Sequence, residues 1–259
     1  MKTRFILTGV CLLLLGVSLK GQDNNMKFFW LEAGTDFLEC EEPGKDYIRA
    51  DIEPYYYSHI SDNIRSLMYS KYIGAKFEYR FAGSLLGASG GIRYYRTVSS
   101  IGKGGYFSDF TGFFYVRYKS DGTNTEYARV RGILQKSDFI SVPLELRIYP
   151  YTDRRMNIYY KAGGSFNLNM RSETGISFRD SSMDQYESEV IHVIEDPLSW
   201  FGTLHLGIGV KFGRAHKPGF NIEANVPVAV LTPGKACFVR PQTGTGFQFL
   251  IRVPLFKNE

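Results

Sequence analysis

Charged side chains recur at every second residue of otherwise apolar runs in this 259-residue chain, and they are its first candidates for chemistry. In the run FISVPLELRIYP, residues 139–150, Glu145 and Arg147 are separated by Leu146. Successive side chains of a β-strand point to opposite faces of its sheet. One face of this run is therefore apolar, and the other carries a carboxylate and a guanidinium.

General acid–base catalysis is one chemistry that such residues could support. His205 is the only histidine of the four that lies inside a predicted strand, and Glu223 on the following strand could reach it. A histidine and a carboxylate can transfer protons or simply satisfy one another, and no serine or aspartate completes the pair at a recognisable spacing. We predict no catalytic residues and no enzyme activity, with a lipid-modifying enzyme centred on His205 as the minor alternative.

Metal and phosphate chemistry have less support in the sequence. His59, His192 and His216 are scattered through predicted loops and turns, and the cysteines form no CxxC pair. The segment GKGG, residues 102–105, lacks the spacing of a P-loop and does not lead from a strand into a helix. We predict no metal site and no cofactor.

The elements that must position these residues are strands, because alternation with a period of two dominates the chain. Eight segments show it: 27–38, 72–81, 86–98, 137–149, 157–171, 200–212, 219–230 and 246–256. Most reach the roughly 9–11 residues that a tilted strand needs to cross a bilayer, whereas ordinary globular strands have around 5–6 residues. Pro143, Pro227 and Pro254 fall inside these segments, and we expect bulges there.

The connections between the predicted strands alternate in length. The short links are 82–85, 150–156 and 213–218, and the long polar links are 39–71, 99–136, 172–199 and 231–245. Transmembrane barrels show this asymmetry, with short periplasmic turns and longer extracellular loops. A soluble sandwich could contain any one such strand, but not readily all eight with this loop pattern. The sequence therefore predicts an all-β fold, an eight-stranded antiparallel transmembrane β-barrel.

Strand parity then assigns one set of side chains to the barrel lumen. The set is Glu32, Asp36, Lys76, Glu78, Arg80, Arg93, Glu145, Arg147, Lys161, Arg171, His205, Lys211, Glu223 and Arg252. The interior of an eight-stranded barrel is just wide enough to be filled by side chains, and both signs of charge are well represented. We predict a buried ionic network, with a small-solute pore as the alternative.

The two cysteines outside the N-terminal segment lie near the seam that barrel closure would create. Cys40 follows the first predicted strand, and Cys237 precedes the last one. Closure makes these two strands neighbours, and the oxidising exterior of a cell envelope permits disulfides. We predict a Cys40–Cys237 disulfide, the alternative being two unpaired loop thiols.

The long connection between the third and fourth strands is the main candidate for surface binding. It alternates on both sides of the turn-forming SDGTN, residues 120–124, which predicts a projecting hairpin. Its candidate binding residues are Tyr115, Arg117, Tyr118, Tyr127, Arg129 and Arg131. Aromatic residues mixed with arginine are common at binding hot spots, but aromatic residues just outside a bilayer also serve as interface anchors.

The N-terminus has the pattern of a targeting segment. Lys2 and Arg4 precede the apolar run FILTGVCLLLLGVSL, and Gly21 is available for cleavage. We predict a cleaved signal peptide over residues 1–21 and a single barrel domain over 22–259. Removal of this segment, with its three cations and no acids, lowers the net charge from +5 to +2, so net charge gives no reason to expect a nucleic-acid partner.

Several predicted strands carry a family resemblance. The runs SDFISVPLELRIYP and MNIYYKAGGSFNLNM, followed by GFNIEANVPVAVL and GFQFLIRVPLF, resemble the PorT-like outer-membrane β-barrel family of Bacteroidota. The resemblance spans nearly the whole chain beyond the signal segment, and it carries no catalytic motif. It implies the outer membrane of a Gram-negative bacterium, contact with outer-membrane lipid, and protein partners in an envelope or secretion assembly. Together with the residues, it predicts a structural or interaction protein of the cell envelope.

Overall fold

The structure is a computed structural model, and it describes residues 26–41, 47–49, 64–81, 85–103, 110–120, 125–150, 155–214, 217–232 and 238–255. The predicted signal peptide, residues 1–21, lies outside the described residues, and so does Cys237. Within the described ranges, the structure has no helix that combines the length and the apolar character needed to cross a membrane.

Strands dominate the described chain. They are β1 (Met26–Cys40), β2 (Ile48–Arg49), β3 (Ile64–Arg80), β4 (Leu86–Lys103), β5 (Phe114–Ser120), β6 (Thr125–Ile148), β7 (Met156–Phe178), β8 (Trp200–Phe212), β9 (Gly219–Leu231) and β10 (Pro241–Pro254). A 3-10 helix (Ser181–Tyr186) runs into the short helix α1 (Glu187–Val193) between β7 and β8.

Eight of these strands close into a barrel. In the order β1, β3, β4, β6, β7, β8, β9 and β10, each pairs antiparallel with the next, and β10 pairs with β1. Closure leaves the ring without exposed edges, which satisfies backbone groups that would otherwise face lipid unpaired. The predicted fold, an eight-stranded antiparallel barrel, is confirmed.

The barrel wall extends beyond the predicted strands on the side of the long connections. β3 begins at Ile64 rather than at Tyr72, and β6 and β7 are 24 and 23 residues long. Above the end of β4, β6 pairs with β5, and β5 pairs with β2. The hairpin predicted from SDGTN is confirmed as β5–β6, although residues 121–124 lie outside the described chain.

An apolar belt surrounds the lower part of the barrel. Ile92 is 64% exposed and Leu146 60%, values that a water-soluble core strand would not show. The belt includes Leu31, Ile73, Phe77, Ile92, Ile140, Leu144, Leu146, Ile158, Leu206, Ile208, Ile222, Phe249 and Ile251. Transmembrane barrels carry such an outward-facing apolar band, so this surface faces lipid.

One bulge changes which side chains face inward. Asp138 pairs with Arg171 on β7, whereas the next residue, Phe139, pairs with Asn169. The extra residue of β7 reverses strand parity, so that Arg171 is exposed on the outside. Its predicted place in the lumen is therefore wrong.

Of the three strand prolines, one lies beside the irregularity that was expected for it. Beside Pro227 the register between β8 and β9 shifts, as expected for a strand proline. At Pro143 the register of β6 continues unchanged against both neighbours, and Pro254 pairs with Phe28 without a shift. The bulges predicted at Pro143 and Pro254 are therefore wrong.

Candidate functional site

The lower lumen contains a connected group of buried charges, which we call the ionic layer. Its members are Glu32, Lys76, Glu78, Arg80, Arg93, Glu145, Arg147, Lys161 and Glu223. They project inward from β1, β3, β4, β6, β7 and β9 because each occupies the parity opposite to the lipid belt. The structure therefore places these nine predicted lumen residues together.

Glu145 lies at the centre of the ionic layer. Its carboxylate is 2.6 Å from Lys76 Nζ and 2.9 Å from Arg147 Nη2. Arg93 Nη2 lies 3.2 Å and Lys161 Nζ 3.5 Å from the same side chain. A buried charge is tolerated only when it is paired and hydrogen-bonded, so four cations around one carboxylate require further acids nearby.

Glu223 is the second acid of the layer. Arg147 Nη2 lies 3.0 Å from its Oε1, and Lys161 Nζ donates to its Oε2. The Tyr159 hydroxyl and the Gln248 side-chain amide also donate to this carboxylate. Four donors therefore satisfy both carboxylate oxygens.

Glu78 completes the layer toward the periplasmic end. It accepts hydrogen bonds from Arg147 Nη1 at 3.0 Å, Arg80 Nε at 2.7 Å and the Tyr149 hydroxyl at 2.8 Å. The Arg80 guanidinium carbon lies 3.7 Å from the centre of the Tyr149 ring and 4.8 Å from that of Phe28. Cation–π contacts and hydrogen bonds thus hold the same arginine.

Glu32 and Asp36, both on β1, lie higher in the lumen. Glu32 is 2.7 Å from Lys76 Nζ and accepts hydrogen bonds from Arg93. Asp36 is half-buried and accepts a hydrogen bond of 2.8 Å from the Tyr95 hydroxyl. Asp36 therefore lies inside the barrel as predicted, but among hydroxyls at the upper edge of the layer.

Lys211 and Arg252 are fully buried near the periplasmic turns. Arg252 Nη2 donates to the backbone carbonyls of Arg214, at 2.6 Å, and Lys217, at 3.3 Å. This arginine therefore holds the β8–β9 turn. It lies inside the barrel as predicted, bonded to carbonyl oxygens.

His205 does not form the predicted pair with Glu223. It is 7% exposed on β8, and its Nε2 lies 3.8 Å from Glu145 Oε1, too far for a hydrogen bond. Glu223 pairs in register with Gly209, four residues further along β8, and its oxygens are held by other donors. The proposed acid–base pair is therefore wrong.

Above the ionic layer, the barrel is closed by an apolar cluster, which we call the cap. Its buried members are Leu38, Tyr47, Ile48, Met68, Tyr72, Tyr95, Ile101, Phe114, Val116, Ala128, Val130, Ile133, Phe139, Phe178, Val190, Ile194, Leu198, Phe201, Phe238 and Val239. Phe201 lies at its base, with ring centres 5.2 Å from Phe139 and 5.9 Å from Tyr95. Helix α1 contributes Val190, which is fully buried.

Five of the six candidate binding residues lie on the outward face of the β5–β6 hairpin. Tyr115 pairs with Arg129, and Arg117 pairs with Tyr127. Tyrosine and arginine therefore alternate both along each strand and across the strand pair. Arg131 is exposed at the bulge just below. Residues of the opposite parity, such as Val116 and Ala128, belong to the cap.

Tyr118, the sixth candidate, turns to the other side of the hairpin. The register shift between Arg117 and Lys119 places its ring 6.0 Å from that of Tyr186, beside α1. Its hydroxyl donates a hydrogen bond of 2.6 Å to Glu126, and this bond raises the pKa of Tyr118 to about 12. Tyr118 therefore supports the hairpin instead of sharing its outward surface.

The seam between β1 and β10 lies where closure predicts it. Cys40 is half-buried at the top of β1 and pairs with Pro241 of β10. Glu41 N donates to the Arg240 carbonyl at 2.9 Å, which brings the chain on both sides of the seam together. The Cys40–Cys237 disulfide stays a prediction, since Cys237 lies outside the described residues.

Sequence reasoning missed a partial ring of charge, on β4, β6 and β7, at the upper edge of the lipid belt. Arg96 Nε and Nη2 donate to the Asp138 carboxylate at 2.7 and 3.1 Å, and Tyr94 donates to the same group at 2.7 Å. Lys136 and the displaced Arg171 are exposed at a similar height. For Arg96, Lys136 and Asp138 the signal was present in the sequence, as polar residues at lipid-facing parity immediately beyond the last apolar ones.

Closure, the lipid belt and the polar lumen together define an outer-membrane β-barrel protein. No family model matches the chain. No curated protein matches it either. The resemblance to PorT-like barrels therefore stays a prediction.

Solved structures resemble the chain at low identity. OprG from Pseudomonas aeruginosa is 12% identical, with 89% of this chain and 97% of that chain covered and a TM-score of 0.44. Ail from Yersinia pestis, in complex with the heparin analogue sucrose octasulfate, is 11% identical over 90% and 100% of the two chains, with a TM-score of 0.35. The COG4313 outer membrane channel from Pseudomonas putida F1 is 8% identical over 92% and 98%, with a TM-score of 0.30. The fold assignment rests on the belt and closure of this chain.

Proposed function

We propose that this protein is a non-conducting, non-enzymatic anchor in the outer membrane of a Gram-negative bacterium, and that its cap presents a binding surface outside the cell. The observation that carries the proposal is the outward face of the β5–β6 hairpin, where tyrosine and arginine alternate. The cap beneath the hairpin holds this face in a fixed shape, because Val116, Ala128 and Val130 on its other side are fully buried.

The lumen supports an anchor more than a pore. Charged side chains fill the lower half, where Glu145 and Arg147 are 3% and 0% exposed. The aromatic base of the cap lies directly above, with the rings of Phe139 and Phe201 in contact. A small-solute pore would need both layers to open, so conductance across a lipid bilayer distinguishes a pore from an anchor.

Catalysis by a lipid-modifying site at His205 has little support from the contacts. Each carboxylate that could orient the imidazole is held by lysine or arginine, and His205 Nε2 lies 3.8 Å from the nearer one. General acid–base work needs a partner within hydrogen-bond reach. A His205→Ala variant whose cells change their envelope lipids would restore the enzymatic hypothesis.

Site-specific cross-linking in living cells tests the proposed binding surface. A photoreactive side chain replaces Tyr127 on the outward face of the hairpin, and a matched one replaces Ile222, which is 50% exposed on the lipid belt. The proposal predicts a discrete adduct at residue 127 that is absent from residue 222. A specific envelope protein in that adduct would support membership of an assembly, as the family resemblance suggests. No adduct at residue 127 that differs from those at residue 222 would contradict a binding surface.

A further inference from the structure

We propose that the outward face of the hairpin and the charged ring below it bind the phosphate groups of a phosphorylated glycolipid, of the lipopolysaccharide class, in the surrounding outer leaflet. The proposal rests on the function proposed above and names the ligand of that same surface. It is supported by the direction in which the face points, the sign of its charge, the tyrosines among its arginines, and its height above the lipid belt.

The direction follows from the exposure pattern of β6 on the two sides of its bulge at Arg131. Below the bulge, Ile140 and Leu146 face lipid, and the extra residue at the bulge reverses strand parity above it. In its upper part Arg129 is exposed, whereas Val130 is fully buried in the cap. The arginines therefore lie on the same side of the wall as the lipid-facing residues and point outward over the membrane surface.

The charge on this face is strongly positive. Among the described residues at outward positions above Ile140 on β2 and β4–β7, and just after β7, the cations are Arg49, Arg96, Arg117, Arg129, Arg131, Lys136, Arg171 and Arg179. The acids at those positions are Asp138 and Glu173, and Asp180 is exposed next to Arg179. Asp138 already binds Arg96, and Glu173 pairs in register with Lys136. In the described part of the chain, most of these arginines therefore face outward without a carboxylate on their own face.

The tyrosines suit the sugar part of such a lipid. Tyr115 and Tyr127 occupy diagonal positions between Arg129 and Arg117, and the Arg49 guanidinium carbon lies 5.6 Å from the centre of the Tyr127 ring. Directly opposed side chains on neighbouring strands lie about 5 Å apart at Cβ. A flat apolar ring beside a guanidinium fork can hold a sugar and a phosphate together, because arginine binds phosphate through two parallel hydrogen bonds.

The height of the cations matches a lipid headgroup followed by its glycan. A strand rises about 3.3 Å per residue and tilts by roughly 40° in such barrels. Lys136 is four residues above Ile140 and so stands roughly 10 Å above it, whereas Arg129 stands roughly 28 Å above it. The lower ring therefore lies at headgroup level, and the hairpin face at the level of the attached sugars.

The test measures binding to the purified full-length protein by native mass spectrometry. The probes are a rough lipopolysaccharide that carries its phosphates and the same preparation after phosphatase treatment. The variant Arg129→Gln/Arg131→Gln/Arg179→Gln removes three cations from the face. The matched control, Lys27→Gln/Arg155→Gln/Arg214→Gln, removes three exposed cations from the periplasmic end.

We expect the wild type and the control to bind the phosphorylated probe at least about tenfold more tightly than the dephosphorylated one, and the face variant to lose that preference. Equal losses in both variants, or no preference for phosphate in the wild type, would overturn the proposal. A soluble dextran sulfate that binds as tightly as the glycolipid would also overturn it, by assigning the face to free polyanions. If the residue-127 cross-link captures a protein while the lipid assay fails, the proposed function stands and only its ligand is wrong.

Discussion

The lower and upper halves of β6 have opposite patterns on one continuous strand. In the lower half, Leu144 and Leu146 face outward while Glu145 and Arg147 face the lumen. In the upper half the polar residue Arg129 faces outward, and Val130 is buried inside. The medium outside the wall explains the reversal, because lipid requires an apolar outer surface and water does not. The barrel is therefore a membrane protein below and a water-soluble β-fold above.

The ionic layer and the cap depend on different energies. Below, the interior must hold groups excluded from the lipid face, and stability depends on pairing every buried charge. Above, water surrounds the wall, and the burial of side chains such as Phe139 and Phe201 supplies the driving force. Substitutions that remove a charge should damage the lower half most, and substitutions that remove volume should damage the upper half.

The largest effect should follow from Glu145→Gln in the ionic layer. This change leaves Lys76, Arg147 and their neighbours with too few carboxylates in a buried site. Breaking a buried ion pair costs about 3–5 kcal/mol, and we expect a loss of that size. Urea unfolding of the protein in lipid vesicles measures it. Glu173→Gln, on the exposed outer face, is the control, and a similar loss in both variants would contradict the layer.

Phe201→Ala should cost slightly less and act on the other half. The substitution removes the ring at the base of the cap between Phe139 and Tyr95, and we expect a loss of about 3 kcal/mol. Hydrogen exchange should increase in the cap strands and in α1 while the lower strands stay protected. Uniform loss of protection over the whole barrel would show that the two halves are not separate.

The same reversal explains which parts of these two layers could be predicted from the sequence. The lower half could be predicted because strict alternation around residues such as Glu145 and Arg147 indicates directly that one face of the strand contacts lipid. The bulge of β7 opposite Asp138 and Phe139 was not visible in the sequence, so strand parity assigned Arg171 to the wrong face of the wall. Bulges depend on the register of two strands together, which a single strand pattern does not contain.

The cap was harder to predict for a second reason. Its members come from β-strands, a helix and connections that are distant in the chain, as Tyr47, Val190 and Phe238 illustrate. The hairpin itself was predicted from its turn residues, but nothing in its alternation indicated that its inner face would cover the barrel mouth. The pairing of His205 with Glu223 failed similarly, because adjacency of strands does not fix the register between them.

A smaller effect is expected from Gly209→Ala in the lower half. A Cβ atom at Gly209 would lie 2.4 Å from Cζ of Tyr159, whose hydroxyl donates to Glu223. The ring must move, and overpacking of this kind costs about 1–3 kcal/mol. In a Tyr159→Leu background, which lacks the clash, Gly209→Ala should cost less than in the wild type, as measured by the same urea titration. An equal cost in both backgrounds would mean that the clash is not the cause.

The smallest effect concerns pH and the cap. Burial raises the pKa of Tyr47 to about 12, whereas an unfolded tyrosine ionises near pH 10. The stabilisation from neutral Tyr47 is therefore complete below pH 10 and is lost as the pH rises through about 12. Between pH 9 and 11, the wild type should lose about 1 kcal/mol of stability relative to Tyr47→Phe. A stability difference between the two proteins that stays constant over this range would contradict the burial of the hydroxyl.

Conductance across a planar lipid bilayer tests the central claim most directly, because a barrel filled by the ionic layer and covered by the cap should not pass ions. The wild type is reconstituted at known density, and steady current is recorded at both polarities, with Glu145→Gln and Phe201→Ala measured alongside. The account predicts a silent wild type, with brief openings only in the variants. Stable, reproducible channels from the wild type would contradict a filled lumen and restore the pore as the function.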